Sequence, residues 1–204
     1  MIKNAILFSY QDDSKLANYF SNCAIHAEYY LNLKNNIKQS HVKDNNCNFA
    51  YIEGVELPKH SEKSLFVIYS HGNASSFFKD NSVSTPFIHE TIDCTVCLDG
   101  GLVYTNACSI GIKFGKKLIE KNASFFGYNK DIDILLDYEK VCIECDNWGL
   151  YKLLEGDTLA EARLKAKEKY NEKIDVMHPF YASKLMVARD SIVVYGNDLN
   201  KSFF

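Results

Sequence analysis

Proline is scarce, with three residues in 204. No Pro/Gly/Ser-rich stretch divides the chain, so a single domain over residues 1–204 is expected. No apolar run approaches the roughly 20 residues of a membrane-spanning helix, which excludes a helical membrane protein. The opening Met1-Ile-Lys-Asn-Ala-Ile-Leu-Phe-Ser-Tyr10 holds a run of only four apolar residues, too short for a signal-peptide core. Positive charge is not in excess: Lys and Arg number 23 against 26 Asp and Glu, for a net charge of −3. No basic stripe is interleaved with aromatics, so a nucleic-acid surface is not expected. The densest basic run, Arg163-Leu-Lys-Ala-Lys-Glu-Lys169, reads as the wet face of a helix. Gly-rich phosphate loops are missing. Neither Ser70 nor Ser75-Ser76 lies in a nucleophile elbow, which disfavours a serine hydrolase. Seven cysteines cannot all pair internally, and free thiols in a reducing cytoplasm are expected.

What is present is an ordinary globular composition with enough length to bury a core without metal or disulfide staples. Short runs rich in β-branched and aromatic residues recur at 5–10, 48–52, 64–70, 101–105, 123–127 and 191–195, and read as strands. Helical spacing links Leu16, Tyr19, Phe20, Cys23, Ala27, Tyr30 and Leu31, with Asp12 or Asp13 as N-cap. A second helix is expected from just after Cys108 to about Lys121. A third starts at Thr158, where Thr158-x-x-Glu161 forms a capping box, and a fourth covers Tyr181 to Arg189. Strands alternating with helices predict an α/β fold with a mostly parallel sheet. Two stretches, Asn73 to Glu90 and Tyr128 to Asp157, read as long polar loops.

In open α/β sheets the ligand crevice lies beyond the carboxyl ends of the strands. His71 follows the strand ending at Ser70, and Cys108 follows the strand ending near Thr105. If those strands are parallel neighbours, both side chains emerge at one edge. A cysteine peptidase needs a thiolate, an imidazole and donors for the oxyanion. Cys108 just before a helix would gain from its dipole, and Gly72 offers an unobstructed N–H. The amides of Gly72 and Cys108 are therefore the expected oxyanion donors. Taken singly, each residue has a plainer reading: a small buried Cys, and a surface or capping His.

Phe66-Val-Ile-Tyr-Ser-His71-Gly72 resembles the strand-then-His-Gly element of clan CD peptidases, which include caspases, gingipain-type peptidases and CHAT-domain proteases. Leu102-Val-Tyr-Thr-Asn-Ala-Cys108-Ser109-Ile-Gly111 resembles their nucleophile element, in its CHAT and gingipain-type form. Lys121-Asn-Ala-Ser-Phe-Phe-Gly127-Tyr is similar to the helix-then-strand step that follows it. Ala188-Arg-Asp-Ser-Ile-Val-Val-Tyr-Gly196-Asn-Asp is loosely similar to the terminal strand of gingipain-like domains. The resemblance implies a three-layer caspase-like sandwich. It also implies a cysteine endopeptidase without cofactor, cutting proteins or peptides through an acyl-enzyme at Cys108, with His71 as general acid and base. An activating protein partner is implied as well. In several of these families the residue two before the Cys helps form the S1 pocket; here it is Asn106, which carries over neither an Asp nor a basic P1 preference. The His71-to-Cys108 separation of 37 residues is shorter than the caspase spacing of about 50.

Two other readings stand beside it. One is a catalytically silent caspase-fold scaffold that binds a partner. The other is a zinc-stabilised module, because Cys94-x-x-Cys97 and Cys142-x-x-Cys145 have tetrahedral-site spacing, although 44 residues separate them. Val141 to Cys145 is expected as a short strand. Asp131, Asp133, Asp137, Glu144 and Asp146 could line a pocket, but a solvated loop is the plainer reading. His26, His41, His60, His89 and His178 lack ligand spacing. Trp148, the only Trp, is either a packing anchor or part of a substrate-binding wall.

Overall fold

The computed structural model describes residues 1–10, 15–78, 85–91 and 98–204. The proposed caps Asp12 and Asp13 and the pair Cys94 and Cys97 lie outside them. In chain order the elements are β1 (Asn4–Ser9), α1 (Lys15–Asn32), β2 (Lys38–Lys43), β3 (Ser64–Tyr69), β4 (His71–Gly72), β5 (Ser76–Phe78) and β6 (Pro86–His89). There follow β7 (Leu102–Thr105), α2 (Phe114–Lys117), β8 (Ser124–Tyr128), α3 (Glu139–Glu155), α4 (Leu159–Ile174), α5 (Pro179–Ser191) and β9 (Ile192–Tyr195). Short helical turns fill 44–59.

The strand-forming runs assemble as a six-stranded sheet in the order β2-β1-β3-β7-β8-β9. Every pairing is parallel except that of β8 with β9. Parallel strands are covered on both faces, which is why β1 and β3 are apolar almost throughout. Alternate residues serve opposite layers. Ala5, Leu7, Leu65 and Val67 pack with α1, α3, α4 and α5. Ile6, Phe8, Phe66 and Ile68 pack with the turns of 44–59, the small antiparallel sheet β4-β5-β6 and the Ile110–Leu118 segment. The result is the expected mixed α/β sandwich, three layers deep. No helix among the described residues is long and apolar enough to cross a membrane.

Local chemistry explains the boundaries. Thr158 Oγ1 accepts from Glu161 N at 3.3 Å while the Glu161 carboxylate accepts from Thr158 N at 2.9 Å, so the expected capping box opens α4. Gly156, at φ 107°, takes the left-handed turn that ends α3.

Several expectations are corrected. The stretch Asn73 to Glu90, read as a loop, carries β5 and β6 of the small antiparallel sheet. Residues 48–52 are helical turns, not a strand, because Asn48 Oδ1 accepts from Tyr51 N at 2.8 Å and caps them. The sheet's edge is instead β2, whose sequence Lys-Gln-Ser-His-Val-Lys buries only Val42. The supposed loop from Tyr128 to Asp157 contains α3, so Cys142 and Cys145 lie on a helix, not a strand.

Candidate active site

β3 and β7 are parallel neighbours, with Ile68 opposite Thr105, so their carboxyl ends open at one edge of the sheet. Thr105 Oγ1 donates to Ile68 O at 2.7 Å and accepts from Ala107 N at 3.0 Å, which fastens the turn after β7 to β3. His71 and Gly72 begin the small sheet immediately beyond β3. A Cβ on Gly72 would lie 2.8 Å from Ala107 Cβ and 2.9 Å from Cys108 O. Only glycine lets this backbone press so closely against the turn that carries Cys108.

His71 and Cys108 line one cavity of about 270 Å³. Ser70, Asn106 and Asp133 share it, and its apolar wall comes from Leu16, Phe20, Ile132, Ile134 and Leu136. The Phe20 ring meets the His71 imidazole edge-on, with centroids 5.2 Å apart and planes at 88°. Phe20 therefore packs the imidazole from the α1 side. The helical spacing of Leu16 and Phe20 marks them only as core, and nothing in the sequence signals their place at the cavity.

The surroundings of Cys108 differ from expectation. The helix expected directly after it is a turn in which Ser109 takes φ 58°, and α2 begins only at Phe114 and spans four residues. The cause lies in β8 and its exit. Lys130 O accepts from Ser109 N at 3.0 Å, Tyr128 O accepts from Gly111 N at 2.8 Å, and Asp131 Oδ1 accepts from Ser109 Oγ at 2.7 Å. The first two bonds take amides that a helix start would have left free near the thiol. Ile132 N donates to Cys108 Sγ at 3.5 Å, and Ile132 O lies 3.8 Å from the same sulfur. Burial pushes the Cys108 thiol up, the Ile132 amide draws it partly back, and the carboxylates of Asp131, Asp146 and Asp133 push it further up. No bond among the described residues takes the Cys108 N–H, whereas Thr105 and Lys130 take those of Ala107 and Ser109.

Asn106 is only 2% exposed, so it forms the floor of the cavity. Its Nδ2 donates to Asp146 Oδ2 at 3.1 Å. Of the acidic residues read as loop, Asp133 lines the cavity and pairs with Lys184 at 2.8 Å. Glu144 pairs with Lys173 at 2.6 Å and with Lys169 at 3.4 Å. Asp146 is buried in α3. No linear signal marks Asp146, because its hydrogen-bond partners are scattered along the chain.

Cys142 and Cys145 are buried on the core-facing side of α3. Burial, reinforced by Asp146, pushes the Cys142 thiol up to about 12 and raises that of Cys145 still more. Among the described residues no group of three or more His, Cys, Asp or Glu is placed to hold a metal ion. Trp148 lies outside the cavity wall, with Lys169 Nζ 4.0 Å from its ring centroid. Of the histidines, His26 packs on Tyr30, His60 lies 3.1 Å from Glu56 and His178 caps α5.

No protein-family model and no curated protein matches this sequence. Solved structures do. The crystal structure of the Arg specific cysteine proteinase gingipain R is similar over 98% of this chain, with TM-score 0.63 and 11% identity. A complex of Porphyromonas gingivalis RgpB pro- and mature domains is similar over 98%, with TM-score 0.59 and 10% identity. The chain spans about half of each, 48% and 49%. The fold is therefore the caspase-like α/β fold found in clan CD cysteine peptidases.

Proposed function

We propose that the protein is a cysteine endopeptidase with Cys108 as nucleophile and His71 as general acid and base. The observation that carries this reading is the meeting of His71 and Cys108 on one cavity, with Gly72 pressed against the Cys108 turn. The Cys108 thiolate adds to the scissile carbonyl, and the oxyanion is held by the amides of Gly72 and Cys108. His71 gives a proton to the departing amine as the C–N bond breaks. It then takes one from water, which releases the acid and restores the thiol. Asn106 contributes to the S1 pocket.

The raised thiol and the Ile132 backbone over it support a resting form of low but measurable reactivity, which activation would raise. A protein partner or processing that shifts residues 131–136 would supply it, as the resemblance to clan CD peptidases implies. The free thiols of Cys23, Cys47, Cys108, Cys142 and Cys145 fit a reducing compartment such as the cytoplasm.

The same two features favour a second reading, a silent scaffold that keeps the pocket for binding. A peptide bearing a thiol-directed electrophile separates them. The peptidase reading expects labelling at Cys108 that falls at least about 100-fold in His71→Ala, the usual scale of a general acid or base. Labelling unaffected by loss of His71 supports the scaffold.

A further inference from the structure

Apart from His71 and Cys108, the polar side chains of the cavity are already occupied. Ser70 is 2% exposed, and its Oγ donates to His71 O at 3.0 Å. Asn106 is equally buried, and its Nδ2 donates to Asp146 Oδ2 at 3.1 Å. Asp133 is the one carboxylate among the described lining residues. Its Oδ2 lies 2.8 Å from Lys184 Nζ, so the pair brings no net charge. An unpaired Asp133 would attract lysine or arginine; Lys184 already supplies its cation.

The rest of the wall is apolar. Leu16 and Phe20 come from α1, and Ile132, Ile134 and Leu136 come from the stretch after β8. Leu16, Ile132 and Ile134 are only partly buried, and Leu136 is 40% exposed. Apolar surface is thus left open to water beside the thiol. An apolar side chain that covers it releases that water. A charged or amide side chain gives up its own hydration there and finds no uncommitted partner among the lining groups.

The place of Cys108 fixes which substrate residue this concerns. The carbonyl under attack lies at Sγ, and the residue that bears it is P1. Its side chain is the one that enters the cavity Cys108 itself lines, whose volume of about 270 Å³ admits one large side chain.

We propose that this cavity selects a large apolar P1 residue, such as leucine, methionine or phenylalanine, over basic, acidic and amide side chains. The inference rests on the peptidase reading of His71 and Cys108 and names the substrate class of that site.

The test measures rates of Cys108 labelling by mass spectrometry, using acyloxymethyl ketone peptides that differ only at P1. The thiolate displaces the acyloxy group as a carboxylate and a thioether forms, so no turnover is needed. P1 is leucine, alanine, methionine, glutamine, lysine or glutamate. Wild type is expected to react at least about tenfold faster with leucine than with alanine, the scale of added methylenes in an apolar pocket. Methionine and glutamine are close in size, and methionine is expected to lead by at least about tenfold, the scale of one buried unpaired amide. Lysine and glutamate are expected to trail leucine by at least as much. Leu136→Asp sets an uncompensated carboxylate on the wall. It is expected to raise the lysine-to-leucine ratio at least about fivefold, through a new ion pair and lost apolar contact. Each ratio is taken within one protein, so a smaller folded fraction does not alter it.

Equal rates for all the probes overturn the proposal, as does a wild-type preference for lysine, glutamate or glutamine. An unchanged lysine-to-leucine ratio in Leu136→Asp overturns it too. In each of these cases labelling that falls in His71→Ala leaves the peptidase reading standing. Cys108 unlabelled by every probe, or labelled equally with and without the imidazole, overturns the peptidase reading and this inference with it.

Discussion

At the scale of single residues, Gly72 is a tight joint of the site. Its α-carbon faces Ala107 and Cys108 so closely that one methyl would come within 2.8 Å of the Ala107 side chain and 2.9 Å of the Cys108 carbonyl. Gly72→Ala is therefore expected to push the Cys108 turn away from β4. We predict a stability loss of about 1–3 kcal/mol by urea unfolding. Labelling of Cys108 should fall at least about tenfold, because a displacement of about 1 Å at a reacting centre has effects of that order or more. A Gly72→Ala variant with wild-type stability and labelling would contradict this packing. The residues at this scale were unevenly legible. His71, Gly72 and Cys108 are legible because they follow strand ends closely and lie in motifs that resemble the His-Gly and nucleophile elements of clan CD peptidases. Asp146 is not, since its four side-chain donors come from positions 19, 106, 128 and 170.

At the scale of elements, the strands of the central sheet were readable because parallel strands buried on both faces leave continuous apolar runs. β2 was not, for it is an edge strand with one buried residue and a polar sequence. α3 was hidden for a related reason: its inward face carries Cys142, Cys145, Asp146, Asn147 and Gly149 beside its leucines, so the apolar stripe is broken. The helices nevertheless bury defined faces, and substitutions should report them. Leu150, on α3, is fully buried, and Leu150→Ala is expected to destabilise by about 2–5 kcal/mol. Leu164, on α4, is 60% exposed, and Leu164→Ala is expected to stay within about 0.5 kcal/mol. Urea unfolding of the two variants side by side checks the assignment of faces; equal losses would contradict it.

At the scale of the whole molecule, the helical side of the sheet is rich in buried hydroxyls and thiols. Burial first, and the Asp146 charge in addition, holds Tyr19, Tyr69, Tyr104, Tyr128 and Tyr170 well above the ordinary tyrosine value. Burial likewise raises Cys23, Cys142 and Cys145. In the unfolded chain these groups ionise at ordinary values, so the folded state binds more protons above them. Their contribution is complete below the unfolded values and is lost as pH rises toward the folded ones. The urea midpoint should therefore fall as pH rises above about 9–10, where free cysteine and tyrosine begin to ionise. Tyrosine ionisation should accompany unfolding instead of preceding it. A midpoint steady to about pH 11 would contradict the burial of these groups.

The central claim is that the caspase-like edge of this molecule holds a working Cys–His pair. It is tested most directly by mass-spectrometric labelling with a peptide electrophile, in wild type and in His71→Ala. The account predicts modification at Cys108 in wild type, with the buried Cys23, Cys47, Cys142 and Cys145 untouched, and a loss of at least about 100-fold without the imidazole. No modification of Cys108, or modification of Cys108 to the same extent in both proteins, would contradict it.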